Sequence, residues 1–167
     1  MLFREIVPKE LEYVYKMGYK EWPKGRTFER YVEENKKEDE FGSRYVYVDK
    51  ENNIIGSLIV LSLKIKVVDK IVPLFGLGSI VINSDYRGLG YGNEMIKECL
   101  FHIEHNCSEP IFMLFSDINH MFYCQLGFKE LPENLQRYPK SVCMVRCRDA
   151  DYKLVSSLSI DHIPKYF

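Results

Sequence analysis

The sequence lacks the long apolar segments that mark membrane and secreted proteins. Its longest run without a charged residue, positions 71–84, contains a proline and two glycines. A membrane span needs roughly 20 apolar residues, so we expect no association with a membrane. Arg4 and Glu5 place charge at the start of the chain and no apolar stretch follows, so we expect no secretory signal and a cytoplasmic location.

An excess of charge of one sign is also lacking. Lys and Arg together number 23, Asp and Glu number 24, and the formal net charge is −1. Proteins that hold nucleic acid by bulk charge are basic, so this balance argues against a nucleic-acid partner. The cysteines number 5 and include no C-x-x-C pair, which favours free thiols in a reducing compartment over disulfides or a metal site.

What is present is the composition of one folded domain. The chain has 167 residues, of which 46% are hydrophobic and 28% charged, enough to bury a core without disulfides. The apolar pattern predicts a strand, two helices, three strands, a helix, a strand, a short helix and a final strand pair. That order is typical of an α+β or mixed α/β domain. Residues 149–167 show no clear period, so no element is predicted there.

Several local features are predicted within this order. The second helix is expected to begin near Thr27, and its acidic end, residues 38–40, to fray. The strand at 71–82 is nearly all apolar, which suits burial on both faces. Gly76 and Gly78 interrupt this strand, which indicates a bulge or a close approach by another part of the chain.

The most informative segment is the loop between that strand and a helix predicted to begin near residue 93. Its glycines, Gly88, Gly90 and Gly92, stand directly ahead of the helix. Glycine permits positive φ, successive N–H groups form an anion-binding concavity, and a helix N-terminus adds partial positive charge. Together with the full charge of Arg87, these features predict a site for a phosphate or pyrophosphate.

Two common phosphate loops do not fit this segment. The P-loop signature, GxxxxGK followed by Ser or Thr, is absent from the chain. The Rossmann fingerprint GxGxxG fails as well, because Asn93 stands where the third glycine belongs. An ordinary glycine-rich turn is the plain alternative.

Two motifs resemble those of the GNAT superfamily of N-acetyltransferases. Residues 87–92 read Arg-Gly-Leu-Gly-Tyr-Gly and match that family's Arg/Gln-x-x-Gly-x-Gly/Ala motif. Residues 122–128 read Phe-Tyr-Cys-Gln-Leu-Gly-Phe and match its Phe/Leu-Tyr-x-x-x-Gly-Phe motif. The predicted order of elements also agrees, so the resemblance covers most of residues 1–148.

The resemblance implies an α+β (mixed α/β) GNAT-like fold with a central, mostly antiparallel, splayed sheet flanked by helices. It implies one GNAT-like domain at 1–148, with 149–167 as a C-terminal extension packed on the same domain. Acetyl-CoA (coenzyme A) is the implied co-substrate, with its pyrophosphate on the loop and its pantetheine along the preceding strand. The implied cofactor-binding residues are Ile80, Val81, Ile82, Arg87, Gly88, Leu89, Gly90, Tyr91, Gly92 and Asn119. The Arg87 side chain is expected to shape the loop more than to hold phosphate.

The implied reaction is direct transfer of an acetyl group to a primary amine, carried by a small molecule or a peptide. Tyr123 matches the family position often given the role of the acid that protonates the leaving thiolate. Many members carry an asparagine seven residues before this tyrosine, where this chain has Ser116 followed by Asp117. Either of these side chains is expected to cap the short helix, and Asn119 lies nearby but out of register.

A second departure concerns the general base. Many members carry a glutamate on the strand before the loop, but residues 71–82 contain no acid. The base therefore stays open, and a water chain or an amine that arrives neutral would also serve. The side chains considered elsewhere are Glu21, Glu29, Asp117, His120 and Glu130.

Other readings stay open at this point. One alternative is a catalytically inactive CoA-binding sensor or interaction module of the same fold. Another is an enzyme that uses a longer acyl donor. Family members often dimerise, so a homodimer is a further expectation. Residues 22–26 (Trp-Pro-Lys-Gly-Arg) carry an aromatic ring and two cations, which would favour an acceptor that also bears a carboxylate.

Overall fold

The structure, a computed structural model, describes residues 1–67, 70–165 and 167 of the chain. Within these residues the strands are β1 (Leu2–Glu5), β2 (Gly42–Val48), β3 (Ile54–Val67), β4 (Lys70–Ile82), β5 (Ile111–Ser116), β6 (Lys129–Glu130) and β7 (Val142–Arg146). The α-helices are α1 (Leu11–Glu21), α2 (Phe28–Asp39), α3 (Tyr91–Asn106), α4 (Met121–Cys124) and α5 (Asp149–Ser156). Short 3-10 turns lie at Pro8–Glu10, Ser84–Tyr86, Glu133–Leu135 and Ile160–His162.

The strands hydrogen bond in the order β1-β2-β3-β4-β5-β7-β6, which confirms the predicted α+β fold with a mostly antiparallel open sheet. The pairing of β4 with β5 is parallel. The chain divides into two compact units. The first unit comprises residues 1–61 and 78–102, and the second comprises residues 62–77 and 103–167.

The first unit is built on the antiparallel strands β1, β2 and β3. β2 lies between the other two strands: it pairs with β1, where Leu2 is opposite Val48, and with β3, where Gly42 is opposite Leu61. Helix α1 buries its apolar face in a cluster of Val14, Met17, Val46, Val48, Ile54 and Val81. Helix α2 begins at Phe28 because the hydroxyl of Thr27 accepts the N–H of Arg30 at 3.3 Å, which confirms the predicted start.

The acidic end of α2 does not fray, because it is bound to a buried arginine. Arg44 is 4% exposed, and its Nε–H donates to the Asp39 carboxylate at 2.8 Å. Its Nη2–H also donates to the amide oxygen of Asn35 at 3.2 Å, and Tyr15 donates its hydroxyl to Asp39. The prediction from the acidic sequence was wrong because it considered the helix dipole alone and not a partner from β2.

The second unit has a core of apolar side chains to which β3, β4, β5, β7 and α5 contribute. They are Ile65, Leu74, Ile111, Met113, Leu131, Leu135, Cys143, Val145, Val155 and Ile163. Val155 lies on α5, in the segment where the sequence predicted no element. The 8 residues of α5 bury only Val155, so the helix is too short for its period to be recognised from sequence.

Strand β4 differs from its prediction in two respects. Ile71 is 69% exposed, so the expected burial on both faces is wrong at the start of the strand. The left-handed backbone conformation falls on Ser79, with φ of 48°, and not on either predicted glycine. Gly76 instead allows the Phe167 ring to pack closely against the strand, because a Cβ at position 76 would lie 2.8 Å from that ring.

Helix α4 is also shorter than predicted, at 4 residues instead of the whole of 117–126. Gly127 follows it with φ of 82°, as the C-cap prediction required.

Among the helices of the described ranges, none combines the length and the apolar character that crossing a bilayer demands.

Candidate active site

The loop that follows β4 begins with a turn organised by Asn83. The Asn83 N–H donates to the carbonyl of Ile55 at 2.9 Å, and its side-chain oxygen accepts the N–H of Asp85 at 3.3 Å. The amide nitrogen of the same side chain donates to the Tyr13 hydroxyl on α1 at 2.9 Å. One asparagine thus ends the strand, starts the 3-10 turn and attaches the loop to α1.

Arg87 ties the loop back to the strand and to α1. Its Nε–H donates to the carbonyl of Ile82 at 3.0 Å, and its Nη2 lies 2.7 Å from the Glu21 carboxylate. Both contacts are within the first unit, and the arginine side chain is 45% exposed. These contacts agree with the expectation that Arg87 shapes the loop.

The loop glycines are needed for backbone conformation. Gly88 has φ of 75° and Gly90 has φ of 85°, and no atom lies within 4 Å of a Cβ built on either. The strain of a left-handed conformation, not a lack of space, therefore selects glycine at these two positions. Gly92 is different, because α3 begins at Tyr91 and takes Gly92 into its first turn. The predicted helix start near 93 was two residues late.

The N–H groups at the start of α3 are open to an anion. The Gly90 carbonyl accepts from Asn93 at 3.0 Å and from Glu94 at 3.2 Å. In the part of the chain that the structure describes, the N–H groups of residues 88–92 take part in no hydrogen bond. Residues 88–90 are exposed. Free donors in series, backed by a helix of 16 residues, suit a pyrophosphate.

The strand segment before the loop presents two different faces. Val81 is 4% exposed and packs with Val14 and Met17 of α1. Ile80 and Ile82 alternate with it and are only half-buried, so an apolar chain has surface to contact on their side.

A groove of about 360 Å³ lies beside this segment within the first unit. One wall is α1, from Tyr13 to Glu21, and Phe28 at the start of α2 adds to it. The opposite wall is formed by Ile82, Asn83, Ser84 and Arg87. The volume is at the small end of the range for sites that bind small molecules.

The cations of residues 22–26 are less available than the sequence suggested. Arg26 pairs with Glu34 of α2 at 2.5 Å, and its Nη2–H also donates to the carbonyl of Trp22 at 2.7 Å. The arginine therefore holds the turn between α1 and α2 together. The expectation that this cation receives a carboxylate of the acceptor finds no support in these contacts.

Tyr123 lies on α4 in the second unit and is 6% exposed. Its ring meets those of Phe122 and Phe128 edge-on, with centroids 5.0 Å and 6.1 Å away. Burial, and then the charge of Asp117, raise the pKa of the Tyr123 phenol to about 12. The hydroxyl is therefore in its protonated form at neutral pH, as a proton donor must be.

Neither of the two residues that the sequence suggested caps the short helix, whose N-cap position is His120. The side-chain oxygen of Asn119 accepts the N–H of Met121 at 3.0 Å. Ser116 instead donates its hydroxyl to the carbonyl of Ile118 at 2.9 Å, and Asp117 accepts the hydroxyl of Ser141. The capping prediction for Ser116 and Asp117 was wrong because these side chains have other partners.

Several of the suggested bases contact another titratable side chain. Glu21 is paired with Arg87, and His120 lies 2.9 Å from Glu130. Glu38 on α2, which is not among the suggested bases, accepts the hydroxyl of Ser79 at 3.5 Å. No sequence signal indicates this contact, because the two residues are 41 positions apart and belong to different elements.

The cysteines are consistent with free thiols. All five are unpaired, and burial raises the pKa of the Cys143 thiol to about 12. Across residues 1–67, 70–165 and 167, no group of three or more His, Cys, Asp or Glu side chains is arranged to hold a metal ion.

A search of curated protein sequences finds no match. Comparison with solved structures, in contrast, finds proteins that share this fold. A conserved protein from Enterococcus faecalis V583, whose function is not known, matches 77% of this chain with a TM-score of 0.68 and 17% identity. The chain spans only 32% of the length of that protein.

Two enzymes of this fold are matched over most of both chains. The Escherichia coli GNAT-family N-acetyltransferase YhbS, solved in complex with CoA, is 18% identical with a TM-score of 0.67, over 90% of this chain and 83% of its own. A chimera of spermidine N-acetyltransferase SpeG from Vibrio cholerae and hSSAT is 16% identical with a TM-score of 0.65, over 92% and 99%. At such identities these likenesses establish the fold.

The family follows from the sequence match. The family model of the acetyltransferase (GNAT) domain matches residues 3–131, which is most of the chain and includes both the glycine loop and Tyr123. The sequence motifs, the strand order and the loop geometry agree with that match. The chain belongs to the GNAT family of acetyltransferases.

Proposed function

We propose that this protein transfers an acetyl group from acetyl-CoA to a primary amine. The observation that carries the proposal is the row of open N–H groups at residues 88–92, held at the start of α3 by two left-handed glycines. In a family of acetyltransferases, the anion that suits such a row is the pyrophosphate of coenzyme A.

The residues of the first unit fit this ligand. The backbone N–H groups from Gly88 to Gly92 would hold the pyrophosphate, and Arg87 would keep the loop in shape through Ile82 and Glu21. The half-buried Ile80 and Ile82 would contact the pantetheine arm. From the second unit, Asn119 is proposed as a further contact on the ground of the family resemblance, made through the amide nitrogen because its oxygen accepts from Met121.

When bound, acetyl-CoA supplies an activated acetyl thioester. The protein's part is to position the amine, to remove its proton and to return a proton to the sulfur that leaves. An alkylammonium has a pKa near 10.4, so at neutral pH nearly all of the amine arrives protonated and unreactive. A backbone N–H near residues 80–82 would stabilise the negative charge that develops on the carbonyl oxygen.

Tyr123 is the proposed acid. Its phenol keeps its proton at neutral pH, because burial raises its pKa to about 12. Its contacts with Phe122 and Phe128 hold the ring in one orientation. A fixed, protonated hydroxyl is suited to protonate a thiolate.

The acceptor is proposed to be a small molecule or a peptide with a primary amine. The related chimera is a spermidine N-acetyltransferase, and the groove of about 360 Å³ beside α1 has room for a chain of that kind. A direct test incubates the protein with acetyl-CoA and, separately, spermidine, an amino acid, an aminosugar and a peptide. The free thiol of CoA and the mass of the product are then measured.

Thiol release that depends on an amine, with acetylated product, is the expected result. Binding of acetyl-CoA without transfer to any of these amines would contradict the proposal. That outcome would favour the alternative of an inactive CoA-binding module.

A further inference from the structure

The helix α2 brings a carboxylate to the irregular point of β4. Glu38 lies in the last turn of α2, and the Ser79 hydroxyl donates to its Oε2 at 3.5 Å. Ser79 has φ of 48°, which is uncommon for a residue with a side chain. It directly precedes Ile80, where the proposed pantetheine segment begins. Glu38 and Ser79 both belong to the first unit.

The charges around Glu38 leave its carboxylate without an ionic partner. The neighbouring Asp39 is bound by Arg44 and by Tyr15, and Arg26 is bound by Glu34. Glu38 forms no ion pair with any other residue that the structure describes. It is only half-buried, so part of its side chain is open to solvent.

We infer that Glu38 is the general base of this protein, supplied by α2 in place of the acid that β4 lacks. The inference rests on the proposed acetyl transfer. Ser79 is assigned a positioning role, because its hydroxyl directs Oε2 toward the strand segment that precedes the loop. Three of the other suggested bases are less suited, since Glu21 is paired with Arg87 and the side chains of His120 and Glu130 lie 2.9 Å from each other.

The proton and electron balance of the step is simple. An N–H bond of the ammonium breaks, the proton goes to a carboxylate oxygen of Glu38, and the electron pair stays on nitrogen. That pair forms the C–N bond to the acetyl carbon as the C–S bond breaks, and the two electrons of the C–S bond leave with the sulfur. The sulfur takes a proton from Tyr123, and the second proton lost from nitrogen restores the phenol. Glu38 returns its proton to water, so one proton is released per amide formed.

The environment of Glu38 raises the pKa of its carboxyl, which makes it a better proton acceptor. Burial raises the pKa of the Glu38 carboxyl, and the charge of Asp39 adds to the increase. Arg44, the Ser79 hydroxyl and Arg26 act in the opposite direction without reversing it. A base whose pKa is closer to that of the amine accepts its proton more readily.

The test compares Glu38→Gln and Glu38→Asp with a control, Glu33→Gln, which removes an exposed charge from the same helix. The acceptor is the amine that the wild type acetylates fastest among spermidine, an amino acid, an aminosugar and a peptide. We expect E38Q to lower kcat/KM at least about 100-fold and to abolish the loss of activity on the acid side of the pH profile. E38D should retain part of the rate, and E33Q should match the wild type.

Two readouts do not depend on activity. Carboxyl 13C NMR of the free, glutamate-labelled protein should show a signal that is lost in E38Q and that titrates above the usual range of Glu. E38Q should also unfold at the wild-type temperature or higher at pH 7. Because the folded-state pKa of Glu38 is raised, its ionised form costs stability, and that cost grows as the pH rises from the unfolded-state pKa to the folded-state pKa.

The outcomes separate the two proposals. A wild type that acetylates no amine would overturn the proposed function. An active wild type whose rate and pH profile are unchanged in E38Q would overturn only the role of Glu38. An E38Q variant that loses activity together with a lower melting temperature would also overturn it, because Glu38 would then be needed for folding.

Discussion

The Arg87 guanidinium lies 2.7 Å from the Glu21 carboxylate and connects the glycine loop to the last residue of α1. The same side chain donates to the carbonyl of Ile82 at 3.0 Å. One residue therefore links the end of the proposed pantetheine strand, the proposed phosphate loop and one wall of the groove. The forked guanidinium makes both contacts at once, which a lysine cannot do.

This geometry predicts the effect of replacing Arg87. Arg87→Lys keeps the positive charge and loses the forked contacts, and Arg87→Ala loses both. We expect both variants to raise the Kd of acetyl-CoA by about tenfold, equal to about 1.4 kcal/mol, measured by titration calorimetry. Wild-type affinity in the lysine variant, with a loss in the alanine variant, would mean that Arg87 acts through charge alone.

The loop glycines allow a matched comparison. Gly88 and Gly25 have φ of 75° and 71°, and at both positions the space within 4 Å of an added Cβ is empty. Alanine at either position forces strain of about 1–2 kcal/mol, so both variants should lower the melting temperature by similar amounts. Only Gly88→Ala should weaken the binding of acetyl-CoA. Equal affinity in the two variants would remove Gly88 from the binding site.

The acid role of Tyr123 predicts a selective loss of rate. Tyr123→Phe removes one hydroxyl and keeps the ring that packs against Phe122 and Phe128. We expect the rate of transfer to fall about 100-fold while the affinity for acetyl-CoA and the melting temperature stay unchanged. An unchanged turnover number would leave Tyr123 as a packing residue.

Gly76 and Phe167 predict a packing effect in the second unit. A Cβ at position 76 would lie 2.8 Å from the Phe167 ring and 3.0 Å from Leu63. Gly76→Ala should displace the ring and destabilise the protein by about 1 kcal/mol, read from denaturant unfolding. Adding Phe167→Ala should cost less in this variant than in the wild type. Strictly additive costs would show that the two positions do not interact.

The sequence predicts the order of elements and the glycine loop because both depend on local patterns. Apolar spacing locates α1 and α2, and the turn chemistry of Thr27 and Gly127 marks two helix ends. The hydrogen bond from Ser79 to Glu38 is not predictable in this way, because it joins residues distant in sequence. Asp117, which the sequence suggested as a cap, likewise accepts the hydroxyl of Ser141, a residue 24 positions away that the fold brings near.

The measurement that tests the account most directly is the change in melting temperature of the protein on adding acetyl-CoA, with CoA and NAD for comparison. A ligand that binds the folded state at a hundredfold excess over its Kd adds about 2.7 kcal/mol of stability. We predict a clear increase with acetyl-CoA and with CoA, and none with NAD. A folded protein whose melting temperature does not change with either CoA species would contradict the account, because the open N–H groups of residues 88–92 would then hold no pyrophosphate.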